Sequence, residues 1–216
     1  TLLEDLANLP PFQSDSMSSS IKSRLLPALV AALNGIALAQ LPESKINASD
    51  AALGHGFGRS VTIDGDYAIV GAPYDDDGGS SAGSAYIFKR SGTDWSQEDK
   101  IVASDDAQGD QFGWNVDIDG DYAIVGAPMD DDAGYNFNSG SAYIFKRNGT
   151  EWSQESKIVA SDAAQNDLFG ESVDIDGDYA IVGARGDQDG GYLSGSAYIF
   201  KRNGTEWSQE DKIVAS

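Results

Sequence analysis

Polar and apolar positions alternate through Val116-Asp-Ile-Asp119, a turn dipeptide follows, and the chain is then almost wholly apolar from Tyr122 to Ala127. The alternation predicts a half-buried strand, and the apolar run predicts a strand covered on both faces. Asp119-Gly120 between them favours the positive φ of a type I′ hairpin turn. The same string returns from Val173 to Ala184 and, with Thr62 for Asp, from Val61 to Ala72. A third strand is predicted from Ser84 to Arg90 and its copies from Ser141 and Ser196, ending at Ser91-Gly92, Asn148-Gly149 and Asn203-Gly204. The fourth runs from Trp95, Trp152 or Trp207 into Ile-Val-Ala-Ser. Charges such as Glu98, Asp99 and Lys100 mark that strand as an outer edge facing water.

The Phe-Gly pairs at Phe57, Phe112 and Phe169 set the period at 55 and 57 residues. Four antiparallel strands recurring at that spacing predict an all-β protein built of β-propeller blades, at about 57–104, 112–161 and 169–216. Glu43-Ser-Lys-Ile46 matches Glu155-Ser-Lys-Ile158, which predicts an extra strand over 43–49 ahead of the first blade. Three blades are fewer than closed propellers hold, so the expectation is part of a larger propeller, or closure by self-association. Residues 17–39 read as a signal peptide: Lys22 and Arg24 precede a mostly apolar Leu25–Leu38, and Ala37-Leu38-Ala39 gives an A-x-A site. The alternative is an amphipathic helix packed on the domain. On the signal reading residues 1–16 are upstream sequence without a structural role, the propeller region is 40–216, and the mature chain has no membrane insertion.

The chain carries 35 acidic and 14 basic residues, one histidine and no cysteine, for a net charge of −21. Such a charge disfavours nucleic acid and anionic membranes and attracts cations. Without cysteine there is no disulfide framework, thiolate nucleophile or thiolate metal site.

Phe112-Gly113 followed by Gly126-Ala127-Pro128 resembles the FG-GAP repeat, the blade unit of the integrin α-subunit propeller. Phe57-Gly58 with Gly71-Ala72-Pro73 matches too, while the third copy has Phe169-Gly170 and Gly183-Ala184 with Arg185 for the proline. The wording is most similar to tandem FG-GAP proteins exported by bacteria and some microalgae. The resemblance implies an extracellular propeller used for adhesion or ligand binding, often with calcium. The integrin-type calcium loop between FG and GAP is not carried over, because only a tight Asp-Gly-Asp turn fills that interval here. Asp64, Asp66 and their copies are therefore read as hairpin residues with solvated carboxylates.

In an up-and-down blade the loops sort onto two ends. One collects the Asp-Gly turns and the basic pairs Lys89-Arg90, Lys146-Arg147 and Lys201-Arg202. The other collects the acidic loops, with Arg59 and Arg185 almost alone to balance them. Asp75, Asp77, Asp130, Asp132, Asp187 and Asp189 are the candidate calcium ligands, since a hard cation takes carboxylate and carbonyl oxygens. A merely solvated acidic face is the alternative. Tyr74, Tyr135, Phe137 and Tyr192, in the variable loops, are the candidate ligand rim.

Three further motifs have plainer readings. Arg185-Gly186-Asp187 spells an integrin-recognition tripeptide, yet its aspartate occupies a repeat position shared with Asp75 and Asp130. His55 replaces the Asp110 and Asp167 of the other copies. Asn47, Asn148 and Asn203 sit in sequons, the last two in turns that want Asn-Gly anyway. The predicted function is an exported extracellular or surface module binding a protein or glycan, with calcium as a candidate cofactor and no catalytic residues. The alternatives are a propeller-based carbohydrate-active enzyme and a structural spacer within a longer surface protein.

Overall fold

A computed structural model describes residues 45–131 and 137–215, and Ile46–Ser216 forms one compact unit. Residues 1–16 and the signal segment 17–39 lie outside the described residues. The first blade is β1 (Val61–Asp64), β2 (Tyr67–Ala72), β3 (Ser84–Ser91) and β4 (Asp94–Ile101). The second is β5 (Asn115–Asp119), β6 (Tyr122–Ala127), β7 (Ser141–Asn148) and β8 (Glu151–Ile158). The third is β9 (Phe169–Asp176), β10 (Tyr179–Ala184), β11 (Ser196–Asn203) and β12 (Glu206–Val214). Each is a four-stranded antiparallel meander in chain order, as the period predicts, and the three do not close. There is no helix among the described residues.

The turn register differs from the expectation. Asp64 pairs with Tyr67 and Asp119 with Tyr122, so the loops are Gly65-Asp66 and Gly120-Asp121. Only the glycine of each has positive φ, 53° at Gly65 and 58° at Gly120. Positive φ at the first loop position alone is the pattern of a type II′ turn, not type I′. The predicted extra strand is also absent from its described part: residues 45–48 are in no strand. Ile46 and Ala48 pack instead on the first blade beside Val70, Tyr86 and Phe88.

The core is divided between blade interfaces. Ile69, Ala85, Ile87 and Ile101 of the first blade meet Phe112, Val116, Ile118 and Phe145 of the second. Ile124, Ile144 and Ile158 meet Phe169, Val173, Ile175 and Phe200 in the same way. The outward faces lack such cover: Val61 and Ile63 are 64% and 63% exposed, where Val116 and Ile118 are each 4%. This also explains β10, whose wholly apolar sequence alternates exposed and buried toward its start while β6 is buried throughout.

Polar bonds hold the blades in register. The Asp64 carboxylate accepts from the Gly120 amide at 2.9 Å, and Asp119 accepts from Gly177 at 2.8 Å. These aspartates are thus not simply solvated: each ties its hairpin to the next one. Arg147 Nη1 donates to the Tyr67 hydroxyl at 2.8 Å, and Arg202 donates to Tyr122 at the next junction. At each crossover a serine amide donates to a glutamine Oε1 on the following blade: Ser104 to Gln154 at 2.9 Å and Ser161 to Gln209 at 3.0 Å. Ser49 reaches Gln97 at 2.9 Å in the same manner, so the segment from Ile46 serves the first blade as a crossover serves the others.

Candidate functional site

The loop after each second strand begins with a buried aspartate: Asp75, Asp130 and Asp187 are 1–3% exposed. A buried carboxylate needs partners, and the fold supplies the same ones in each blade. The hydroxyl of Tyr86 donates to Asp75 Oδ2 at 2.7 Å, that of Tyr198 to Asp187 Oδ2 at 2.7 Å, and that of Tyr143 to Asp130. Backbone amides add to this, Asp77 N to Asp75 Oδ1 at 3.1 Å and Asp189 N to Asp187 Oδ1 at 2.9 Å.

The third partner is a lysine from the fourth strand. Lys100 Nζ lies 2.6 Å from Asp50, 2.5 Å from Asp77 and 3.2 Å from Asp75. Lys212 lies 2.7, 2.8 and 2.7 Å from Asp162, Asp187 and Asp189. Lys157 lies 2.7 Å from Asp105 and 2.9 Å from Asp130. A bulge puts these lysines there. Register shifts after Ile87, Ile144 and Ile199 leave Glu98, Glu155 and Glu210 unpaired in the ladder, and Lys100, Lys157 and Lys212 then stand opposite Tyr86, Tyr143 and Tyr198. Re-aiming a side chain is a known use of a β-bulge.

The expected acidic end therefore exists, but its balance was misjudged: each loop has its own ammonium besides Arg59 and Arg185. Of the candidate metal ligands, Asp75 gathers with Asp77, and Asp187 with Asp189. Asp50 and Asp162, from the crossovers, complete two groups whose oxygens lie within 4.8 Å of one another. Asp130 joins Asp105 and Lys157, while Asp132 lies outside the described residues. Burial raises the Asp187 carboxyl, but bonds from Lys212, the Asp189 amide, Tyr198 and Ser196 outweigh it and hold the pKa at about 2. Asp75 is lowered in the same way by Tyr86, the Asp77 amide and Lys100, against its burial. Burial opposes the charge on Lys100, yet its bonds to Asp50, Asp77, Tyr86 and Asp75 raise its pKa.

Calcium, which the resemblance implies, takes six to eight oxygens at 2.3–2.6 Å. The residues present do not fit it as they stand, because an ammonium fills the middle of each carboxylate group. The Arg185-Gly186-Asp187 tripeptide is not presented as a recognition motif either: Asp187 is buried against Tyr198 and Lys212, and Arg185 bonds Glu171 at 2.7 Å. His55 Nδ1 lies 3.3 Å from Asp75 Oδ2. The aspartates it replaces instead accept from backbone amides, Asp110 from Ala107 at 2.8 Å and Asp167 from Ala164 at 2.7 Å.

The FG-GAP repeat family model matches residues 42–88, 95–145 and 152–200, more than half of the chain. The chain belongs to the FG-GAP repeat family. The second and third FG-GAP matches begin in the fourth strand of one blade and end in the third strand of the next, so sequence repeat and blade are offset by one strand; the first match begins ahead of the first blade and ends in β3. No protein in the curated comparison matches the chain.

The rim aromatics separate. Phe137 is exposed, Tyr192 is exposed beside an exposed Leu193, Tyr135 lies outside the described residues, and Tyr74 is part of a cluster. Its ring meets Trp114 edge-on at 6.5 Å, and the Arg59 guanidinium stacks 4.1 Å over the Trp114 ring. Trp114 and Arg59 stand at one repeat position, occupied in the third copy by Glu171. The available signal was departure from the repeat right after Phe-Gly.

Proposed function

We propose that this FG-GAP chain is an exported binding module of the extracellular space or cell surface, whose ligand, a glycan, is held by side chains that differ between copies. What the copies share has structural work already: the tyrosines, buried aspartates and lysines close the loops, and the phenylalanines fill the interfaces. The observation that carries the reading is the Arg59–Trp114–Tyr74 cluster at the acidic end, where exposed Arg59 and Tyr74 flank a half-buried Trp114, a set of side chains unlike the same place in the third blade. Aromatic faces with a few polar groups beside them are suited to sugar rings. Asp75 and Asp187 are unsuited to the acid role in a carbohydrate-active enzyme, since a carboxyl with a lowered pKa is a poor proton donor at neutral pH; burial raises Asp167 and Asp174 instead.

The test is a glycan microarray, with surfaces coated in matrix proteins alongside, probed with labelled wild type and with Trp114→Ala and Tyr74→Ala. Glycan binding lost in both variants, with unfolding curves still cooperative, is expected. Binding only to the protein surfaces, or glycan binding that both variants keep, would refute it.

A further inference from the structure

We infer that Lys100, Lys157 and Lys212 are the resident cations of the three acidic loops, standing where a divalent ion would otherwise be held, so that these loops fold independently of calcium. The inference does not rest on which ligand the module binds.

An ammonium has three donors and no acceptor. Lys212 directs them at three carboxylates, Asp162, Asp187 and Asp189, at 2.7–2.8 Å. Lys100 does the same with Asp50, Asp75 and Asp77. The buried member of each group has both oxygens committed. Asp187 Oδ1 accepts from the Asp189 amide, while Oδ2 accepts from Tyr198 and Lys212.

A calcium ion bonded to the same three carboxylates would lie within about 3 Å of Nζ, given its oxygen distances. Two cations at that separation do not share one group of ligands, so the ion would have to expel the ammonium. It would gain little by doing so. Three carboxylate oxygens of each group lie within 4.8 Å of one another, so the six to eight that calcium takes would have to be completed from oxygens already engaged, as Asp187 Oδ1 is with the Asp189 amide, or from water. The lysine is covalently part of the strand, so its local concentration does not fall when the medium lacks calcium. The arrangement recurs in every blade, with Lys157 held by Asp105 and Asp130 in the second.

The experiment is calorimetric titration of the full chain with calcium chloride, together with thermal unfolding in calcium and in chelator, for wild type, Lys212→Met and Lys212→Arg. Wild type should give no stoichiometric calcium heat and the same Tm in both media. Lys212→Met should unfold about 5 °C or more below wild type in chelator, with part of the loss restored by calcium and not by sodium chloride of equal ionic strength. Lys212→Arg, which keeps the charge, should stay close to wild type and indifferent to calcium. Stoichiometric calcium binding by wild type would overturn the inference. So would a Lys212→Met protein as stable as wild type in chelator, or one whose loss calcium leaves untouched. Should Lys212→Met fail to fold, the wild-type titration decides alone.

Discussion

Replacing Gly126 by alanine tests the blade packing directly. Gly126 lies in β6 with its Cα against the start of the next blade. A Cβ added there would stand 1.9 Å from the Gly170 carbonyl oxygen and 2.9 Å from its carbon. Carbon and carbonyl oxygen approach no closer than about 3.3 Å in ordinary contacts, so the blades would have to part locally by about 1.4 Å. A gap of that size forfeits more than about half of the dispersion attraction across it. The atoms that clash are backbone, with no flexible side chain to move aside. The cost then falls at the upper end of overpacking penalties, about 3 kcal/mol. For a chain of this size that lowers Tm by about 6–12 °C.

Gly183 is the control, at the same repeat position in the third blade. Its added Cβ would meet only the Ser172 side-chain oxygen, at 2.3 Å, and a serine hydroxyl can rotate away. Gly183→Ala should therefore be neutral, or stabilising by up to about 0.5–1 kcal/mol through the unfolded chain. Urea and thermal unfolding of the two variants beside wild type measure the contrast. If the two differ by less than about 1 kcal/mol, the described docking of blade on blade is wrong.

Two further outcomes follow from the buried aspartates. Tyr198→Phe deletes the hydroxyl that donates to Asp187 and also lies 2.9 Å from Asp162, and leaves a buried carboxylate short of a partner. It should cost about 1.5–3 kcal/mol in urea unfolding. Because the folded pKa of Asp187 is about 2, below its ordinary 3.8, its contribution is present above the unfolded pKa and is lost as pH falls from about 4 toward 2. Acid unfolding followed by circular dichroism should show this loss, and Asp187→Asn should be less stable at neutral pH with a shallower acid slope.

The blades were legible because three copies at one period repeat the same strand pattern, and tertiary packing leaves that pattern intact in β6. The turns were legible as turns but not in register. Asp-Gly and Gly-Asp sit side by side in the string, and only the pairing of Asp64 with Tyr67 decides which two residues form the loop. The acidic loops were found, yet their chemistry was misread for two physical reasons. An aspartate in a glycine-rich loop is expected to be exposed, and the sequence alone gives Asp75 no reason to be otherwise. Lys100 looks like an edge-strand charge facing water until the bulge at Glu98 puts it opposite Tyr86. The usable clue was that tyrosine, aspartate and lysine recur together in every copy. The Arg59–Trp114 stack was hidden differently, because its members come from separate copies and meet only once the blades pack.

The one-strand offset between repeat and blade has a consequence for how such a chain can grow. A match running from the fourth strand of one blade to the third strand of the next carries a crossover serine and the Phe-Gly after it, while their partners, Gln154 for Ser104 and the second and third strands of the preceding blade for Phe112, lie in the neighbouring matches. Each seam is therefore shared between successive repeats, and because the copies carry the same junction groups, gaining or losing one repeat length leaves the neighbouring surfaces matched. Array length can then change by recombination in steps of one repeat while every junction stays compatible with its neighbours.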